Sequence, residues 1–381
     1  MSEAHAVLAN YPPDCQPTHI EPLGSAGGMS GAQFWRIVSS RGKFILRRWP
    51  TEHPSPERLR FIHAVLRHAA TRGCGFLPLP VTTGRGQSFV EHAGHLWELA
   101  PWLPGTADYD RSPRLQKLRA AMRALALFHN ATADFQFDAP IAATQWLAGA
   151  PPAPARHLTR LHELTPDQIN DLSRSIRDTT WPDLAPLARH FVAALSRAVP
   201  HSIAQLEPLA HARLPLQPCL RDIWHDHVLF TGDEVTGLID FGAIDIDTPA
   251  TDIARLLGSL SGAIENIADP SRAGERATTK RGIDAGYYAR PKGPGYIFDR
   301  AGRTPSAPDE AQTWREGLAA YNAVHPLSPD EIRAAHALNT SGSILAGCNW
   351  IRWIYIESRT FENRAQVIER FRRIVACCEL A

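Results

Sequence analysis

Residues 219–243 read C-L-R-D-I-W-H-D-H-V-L-F-T-G-D-E-V-T-G-L-I-D-F-G-A, and the way this stretch turns back on itself decides the fold. Cys219-Leu220 is a short apolar approach, and Arg221-Asp222 opens a polar loop. Val228–Phe230 has strand character, Thr231-Gly232-Asp233-Glu234 makes a turn, and Val235–Ile239 returns as a second strand. The hairpin predicts that Asp222, before its first strand, lies near Asp240, after its second. Two carboxylates at one edge of a hairpin repel unless a cation or a solvated cleft stabilises them. Phosphoryl transfer uses both: one orients the attacking hydroxyl and the other holds a divalent cation on the phosphates. A pair of exposed loop aspartates is the plainer alternative. The ordered set of Asp222, strand, turn, strand and Asp240-Phe241-Gly242 favours the chemistry.

Upstream, His19–Leu23 predicts a strand, followed by the small-residue loop G-S-A-G-G-M-S-G-A over Gly24–Ala32. Gln33–Ser39 and Phe44–Trp49 predict two more strands around the turn Arg41-Gly42-Lys43. Residues 55–71 predict a helix, with Ser55 as N-cap, Pro56 in the first turn, and Leu59, Ile62 and Leu66 along one face. Ser88–His92 and His95–Ala100 predict strands around Ala93-Gly94. After Pro101-Trp102-Leu103-Pro104-Gly105 the pattern becomes helical. Leu115, Leu118, Met122, Leu125 and His129 share one helical face, and Phe361, Ala365, Ile368, Phe371 and Val375 share another near the end of the chain. We expect an α+β chain with a small antiparallel β-rich N-lobe over 1–101 and a larger, mainly helical C-lobe over 102–381. The Gly-, Pro- and Arg-rich stretch 263–310 reads as a flexible insertion within the second.

The 381 residues are enough for a sizeable core. At 44% hydrophobic residues the composition excludes wholesale disorder. A net charge of +1 supplies no strong field for nucleic acid or a membrane surface. No apolar run approaches the roughly 20 residues a membrane helix needs. Cys15, Cys74, Cys219, Cys348, Cys377 and Cys378 form no zinc-like pair, and their sparse spacing points to a reducing compartment. The N-terminus lacks a basic segment and a long apolar run, so we expect a cytoplasmic location without a signal peptide.

Leu220-Arg221-Asp222…His227 with Ile239-Asp240-Phe241-Gly242 resembles the catalytic segment of the aminoglycoside phosphotransferase and choline kinase-like family, relatives of the protein kinases. That family shows H-G-D-x-x-x-x-N, a hairpin, and a D-F-G-like or D-x-E motif at this separation. Thr248-Pro249-Ala250-Thr251-Asp252-Ile253-Ala254 is similar to its D-P-x-x-D-L-A continuation. The resemblance covers most of residues 20–260 and implies a two-lobed protein kinase-like fold holding ATP and Mg²⁺. It also implies transfer of the γ-phosphoryl group to a hydroxyl of a small molecule.

The resemblance assigns the catalytic role to Asp222, which orients the acceptor hydroxyl and takes its proton. It assigns metal binding to Asp240 and a structural role to Asp252. His227 stands where the family carries a metal-binding Asn. Neutral imidazole suits softer ions than Mg²⁺, so His227 binds metal, hydrogen-bonds Asp222, or marks lost metal affinity. Leu220 replaces the family's usual His. Gly27, Gly28, Ser30 and Gly31 are positioned to approach phosphates with backbone N–H groups. Arg47 matches the phosphate-contacting Lys, and its guanidinium suits phosphate oxygens. Glu57, the one acidic residue in 55–71 and the only candidate partner for it on that helix, lies at the helix start, where a carboxylate meets the helix dipole. Glu98-Leu99-Ala100-Pro101-Trp102 matches the segment whose backbone takes adenine. Pro101 removes a donor there, which leaves the contacts to Ala100 and Trp102.

Two other readings stand beside this one. A catalytically degenerate kinase fold that binds nucleotide is motivated by His227 and Leu220. A metal-dependent hydrolase is motivated by the run Trp224-His225-Asp226-His227. Trp350, Trp353 and Ile354 share a helical face, which reads as core packing or as the wall of an acceptor site. The identity of the acceptor and the oligomeric state are not legible in the sequence.

Overall fold

The computed structural model describes residues 2–25, 31–136, 148–264, 310–361 and 364–379. The chain begins with α1 (Glu3–Leu8), β1 (Pro17–Gly24), β2 (Gln33–Ser39), β3 (Gly42–Arg48), α2 (Pro56–Thr71), β4 (Val90–His92), β5 (His95–Pro101) and α3 (Leu115–Thr132). It continues with α4 (Pro152–His162), α5 (Pro166–Ser175), α6 (Ala185–Ala210), β6 (Gln217–Cys219), β7 (Val228–Thr231), β8 (Glu234–Leu238) and β9 (Asp245–Asp247). It ends with α7 (Ala250–Ile264), α8 (Glu310–Asn322), α9 (Pro329–Ile351), a π-helical turn (Arg352–Ile356) and α10 (Arg364–Glu379). Almost all of the insertion expected over 263–310 lies outside the described residues. Among the described residues, no helix is long and apolar enough to cross a membrane.

Two compact units divide the chain. The first comprises Met1–Ala143, Asp222–Asp245 and Ser259–Pro326, and the second Thr144–Arg221, Ile246–Gly258 and Leu327–Ala381. In the first unit five strands form one sheet in the order β1-β2-β3-β5-β4. β1–β2, β2–β3, β3–β5 and β4–β5 are all antiparallel. The two-residue period of a strand sorts its side chains. Phe44 and Leu46 join Ile37, Trp97 and Leu99 in a core under α1, through Val7 and Leu8. Ile45 and Ala100 join Phe34, Leu103, Leu229 and Ile239 on the opposite face, where the hairpin β7–β8 packs. Arg47 and Glu98, two residues on from Ile45 and two before Ala100, therefore project on the hairpin side. They face each other in register across β3 and β5.

α2 starts where its sequence says it should. The Ser55 hydroxyl accepts the Arg58 N–H at 3.2 Å, and Leu59, Ile62 and Leu66 are buried. α3 packs with α8, where Nδ1 of buried His129 lies 2.6 Å from the Tyr321 hydroxyl.

The second unit is helical apart from the short pair β6–β9. The rings of Phe191 on α6 and Phe371 on α10 meet edge to face at 5.5 Å. Gly347 on α9 leaves room for Phe191, whose ring occupies the space a Cβ would take. α9 opens with a capping box: Ser328 Oγ accepts the Glu331 N–H, and Glu331 Oε2 accepts the Ser328 N–H at 2.9 Å.

One helix face differs from expectation. Phe361 precedes α10 instead of lying on it, because the chain leaves the π-helical turn and reverses through Ser358, whose φ is +52°. Its ring packs against Trp350, centroids 5.0 Å apart. Trp350 and Ile354 are buried, as core packing requires.

Candidate active site

Asp222 follows a backbone held in a rare conformation. Arg221 has φ +63°, a region that costs a non-glycine residue energy unless its surroundings enforce it. The enforcement comes from fully buried Asp252 on α7, whose two carboxylate oxygens accept the N–H groups of Leu220 and Arg221, both at 2.6 Å. Asp252 thus ties α7 to the loop that presents Asp222, a structural role. His225–His227 then form one 3₁₀ turn, with the His225 N–H donated to Ser259 Oγ at 3.0 Å. The hairpin follows, and Gly232 at its tip takes the left-handed φ of +64°. The returning strand is locked by the Ile239 N–H, which donates to the His227 carbonyl at 3.0 Å. Asp240 itself has φ +64°. Both strained residues flank or form the predicted site, where such strain tends to collect.

His227 sits between the two candidate aspartates. Trp224 Nε1–H donates to its Nε2 at 2.7 Å. Nε2 is therefore the unprotonated nitrogen, and Nδ1–H donates to the Asp222 carbonyl oxygen at 2.8 Å. Nε2 is 3.8 Å from Asp240 Oδ2. Burial pushes the imidazole below its ordinary pKa, outweighing the pull of the Asp240 and Asp222 charges. The ring is neutral at pH 7, so its approach to Asp240 is not an ion pair. Both nitrogens have partners, and the Nε2 lone pair does not fit an additional metal bond in this arrangement.

Asp240 is the better cation ligand. Burial alone would raise its carboxyl pKa, but the Arg47 guanidinium, helped by the Gly242 N–H, outweighs burial and holds it below the ordinary carboxylate value. It offers hard, ionised oxygens, the donor type that Mg²⁺ and Ca²⁺ take. Arg47 Nη2 is 3.5 Å from Asp240 Oδ1. Arg47 is only 9% exposed, and its Cζ lies 3.3 Å from the centroid of the Trp49 ring. Among the described residues, Arg47 Nε and Trp49 Nε1 are buried donors with no hydrogen-bond partner. Both side chains line a cavity shared with Phe34, Ala100, Asp240 and Gly242. Buried donors left without acceptors are costly. A ligand rich in acceptor oxygens, such as a phosphate chain, fits them.

Other expected residues are spread unevenly. Gly31 has φ +75°, which favours glycine, while Gly27, Gly28 and Ser30 lie outside the described residues. Ala100 lines the cavity. The Trp102 N–H donates to the Lys43 carbonyl at 3.0 Å and extends the β3–β5 ladder. Glu57 is exposed and lies 3.5 Å from Arg60, away from Arg47. Among the described residues, His225, Asp226 and His227 do not gather into a group of three convergent metal ligands.

Three neighbours of the site have no role assigned from the sequence, although Trp224 opens the run Trp224-His225-Asp226-His227. Trp224 and Trp49 were missed because indoles carry no chemical motif. His63 of α2 was the third. Its Nε2 is 2.6 Å from Glu98 Oε2 and its Nδ1 is 2.8 Å from Ser88 Oγ. The only available signal was a histidine inside the apolar face of α2.

A family model described as "Phosphotransferase enzyme family" matches residues 20–293. A homoserine kinase of Sinorhizobium medicae is 28% identical over 238 residues, which is 62% of this chain and 62% of that protein. The chain thus spans less than two thirds of the length of that relative. Among solved structures, an aminoglycoside phosphotransferase of Alicyclobacillus acidocaldarius superposes with TM-score 0.53 at 17% identity, covering 98% of this chain and 92% of that one. A spectinomycin phosphotransferase, solved with ADP and spectinomycin, superposes with TM-score 0.56 at 12% identity, covering 94% and 92%. Both likenesses show that this chain has the same fold.

Proposed function

The chain belongs to the phosphotransferase enzyme family, and from that membership we propose that it moves the γ-phosphoryl group of ATP to a hydroxyl of a small molecule. One observation carries the proposal: the carboxylate of Asp240 and the orphaned donors of Arg47 and Trp49 border one cavity. An anion-binding guanidinium beside an ionised carboxylate suits a nucleotide phosphate bound with a divalent cation.

In this reading Asp222 accepts a hydrogen bond from the acceptor hydroxyl, aligns its lone pair with the phosphorus and takes up its proton as the O–P bond forms, while the bond from the γ-phosphorus to the β,γ-bridging oxygen breaks and ADP leaves. Arg47 and the loop over Gly27, Gly28, Ser30 and Gly31 hold the phosphates. Asp240 holds the cation, which we take to be Mg²⁺; when bound it neutralises charge on the phosphate oxygens. His227 keeps its place as a neutral strut under Asp222. Ala100 and Trp102 border the adenine, and at Trp102 the recognition falls to groups other than its N–H, which the sheet has taken.

The acceptor we place first is a hydroxy amino acid, on the likeness to homoserine kinase. We place the protein in the cytoplasm, since all six cysteines are free thiols. A second reading, a nucleotide-binding member without turnover, is favoured by one observation: the His227 nitrogens are both engaged. ATP consumption screened against hydroxy amino acids, sugars and amino alcohols separates the two. Acceptor-dependent ADP formation that disappears in Asp222→Asn supports transfer. Tight ADP binding with no acceptor-dependent turnover supports the second reading.

A further inference from the structure

We propose that Trp49 is a positioning residue for Arg47 and holds its guanidinium through the face of the indole ring. Arg47 is buried on β3, and a buried guanidinium needs partners that replace its lost water. Among the described residues its only carboxylate within 4.0 Å is Asp240, which reaches one nitrogen, Nη2, at 3.5 Å. α2 brings no acid to it. Glu98, opposite Arg47 in the β3–β5 register, is held by His63 at 2.6 Å. What covers the guanidinium is aromatic: the Trp49 ring at 3.3 Å and the Phe34 ring at 5.3 Å from Cζ. The negative face of an aromatic ring attracts a cation, most strongly where water is excluded.

Trp49 is itself fixed. Its backbone N–H donates to the Leu96 carbonyl at 2.8 Å, its carbonyl lies 2.7 Å from His95 Nδ1, and its ring packs with Leu59, Phe89 and Leu96. The far edge of the ring reaches Gly242, where an added Cβ would lie 3.1 Å from Cη2. One rigid indole therefore touches the guanidinium and the glycine two residues beyond Asp240. The stack sets the plane of the guanidinium so that Nη2 faces Asp240 and Nε is left for an incoming oxygen. The role in phosphate binding rests on the functional reading above; the stack does not.

Two measurements on the full chain test this. In the ligand-free protein, with arginine isotopically labelled, the ring current of Trp49 shifts the Arg47 side-chain resonances upfield. The shift persists in Trp49→Phe and falls in Trp49→Leu to the small contribution of the more distant Phe34 ring. Its absence from the wild type overturns the proposal. Calorimetric titration with ADP and Mg²⁺ then gives affinity about tenfold weaker for Trp49→Leu than for Trp49→Phe, two variants that both lack the indole N–H, the scale of a desolvated cation–π contact. In an Arg47→Ala background the Phe and Leu variants bind ADP equally. Equal losses in the Phe and Leu variants, or a difference between them that survives Arg47→Ala, overturn the proposal. If the wild type binds no ADP, the functional reading falls and the ring-current shift still decides whether the stack exists.

Discussion

Trp224 donates its indole N–H to Nε2 of His227 over 2.7 Å, and this bond fixes which imidazole nitrogen carries the proton. The other nitrogen holds the Asp222 carbonyl. His227 thereby braces the backbone of the loop that presents Asp222, and its one lone pair faces an indole. The family pattern has an Asn at this position, whose amide carries a hard oxygen.

Replacing His227 with Asn restores that oxygen. We expect the Mg²⁺ concentration for half-maximal ADP binding to fall by roughly tenfold, on the scale of one contact to a charged group. Titration calorimetry at varied Mg²⁺ measures it. An unchanged Mg²⁺ requirement would count against Asp240 and this position sharing a cation.

Asp222→Asn keeps the shape of the side chain and removes its basicity. Turnover should fall by about 10²- to 10⁴-fold, the range of a positioned general base. ADP affinity should stay within about twofold, because in this reading Asp222 serves the acceptor. Steady-state kinetics and calorimetry on the same preparation check both halves.

Acid should loosen both units. Burial, then the charges of Arg156, Arg255 and Arg160, holds His157 at about 4, and burial, with His129, holds His325 at about 4. Each titrates near 6.5 when unfolded, so between these values the unfolded chain binds more protons than the native one. The contribution of these histidines is complete above about pH 6.5 and declines as pH falls toward about 4. Urea midpoints should drop steadily from pH 7 to pH 5. Replacing His157 or His325 with Asn should flatten part of that slope.

Ser328→Ala removes one half of the α9 capping box and should cost about 1 kcal/mol of unfolding free energy. Denaturant titration followed by far-ultraviolet circular dichroism measures it. ADP affinity should be unaffected, since Ser328 is in the second unit and the cavity of Arg47 and Asp240 is in the first.

The sequence exposed those parts of the fold that rest on local rules. Ser55-Pro56 begins α2, Gly232 turns the hairpin, and the two-residue period of β3 sends Leu46 and Ile45 into the cores on its two opposite faces. The family motif was legible because it is a contiguous run. Other features depend on contacts that spacing does not encode. α6 continues through Pro200 and Pro208, which a propensity argument would treat as breaks. The π-helical turn after Ile351 shifts the register of the aromatic run Trp350–Tyr355. Arg47 finds its partner in Asp240, far along the chain, instead of on α2, and this comes from tertiary placement alone. Trp224 looks like any core indole until its donor is seen to meet an imidazole.

The cysteines have a practical consequence. Cys15, Cys74, Cys219, Cys348 and Cys378 are buried, and Cys377 is half-buried. Burial raises the Cys74 thiol to about 11 and the Cys348 thiol to about 12, so neither presents thiolate at neutral pH. Cys15 and Cys74 belong to the first unit, and Cys219, Cys348 and Cys378 to the second. An alkylating reagent reaches these thiols only when their own unit opens. The chain therefore carries two separate stopwatches, one per unit, and mass spectrometry of the alkylated peptides can read each of them without any engineered cysteine.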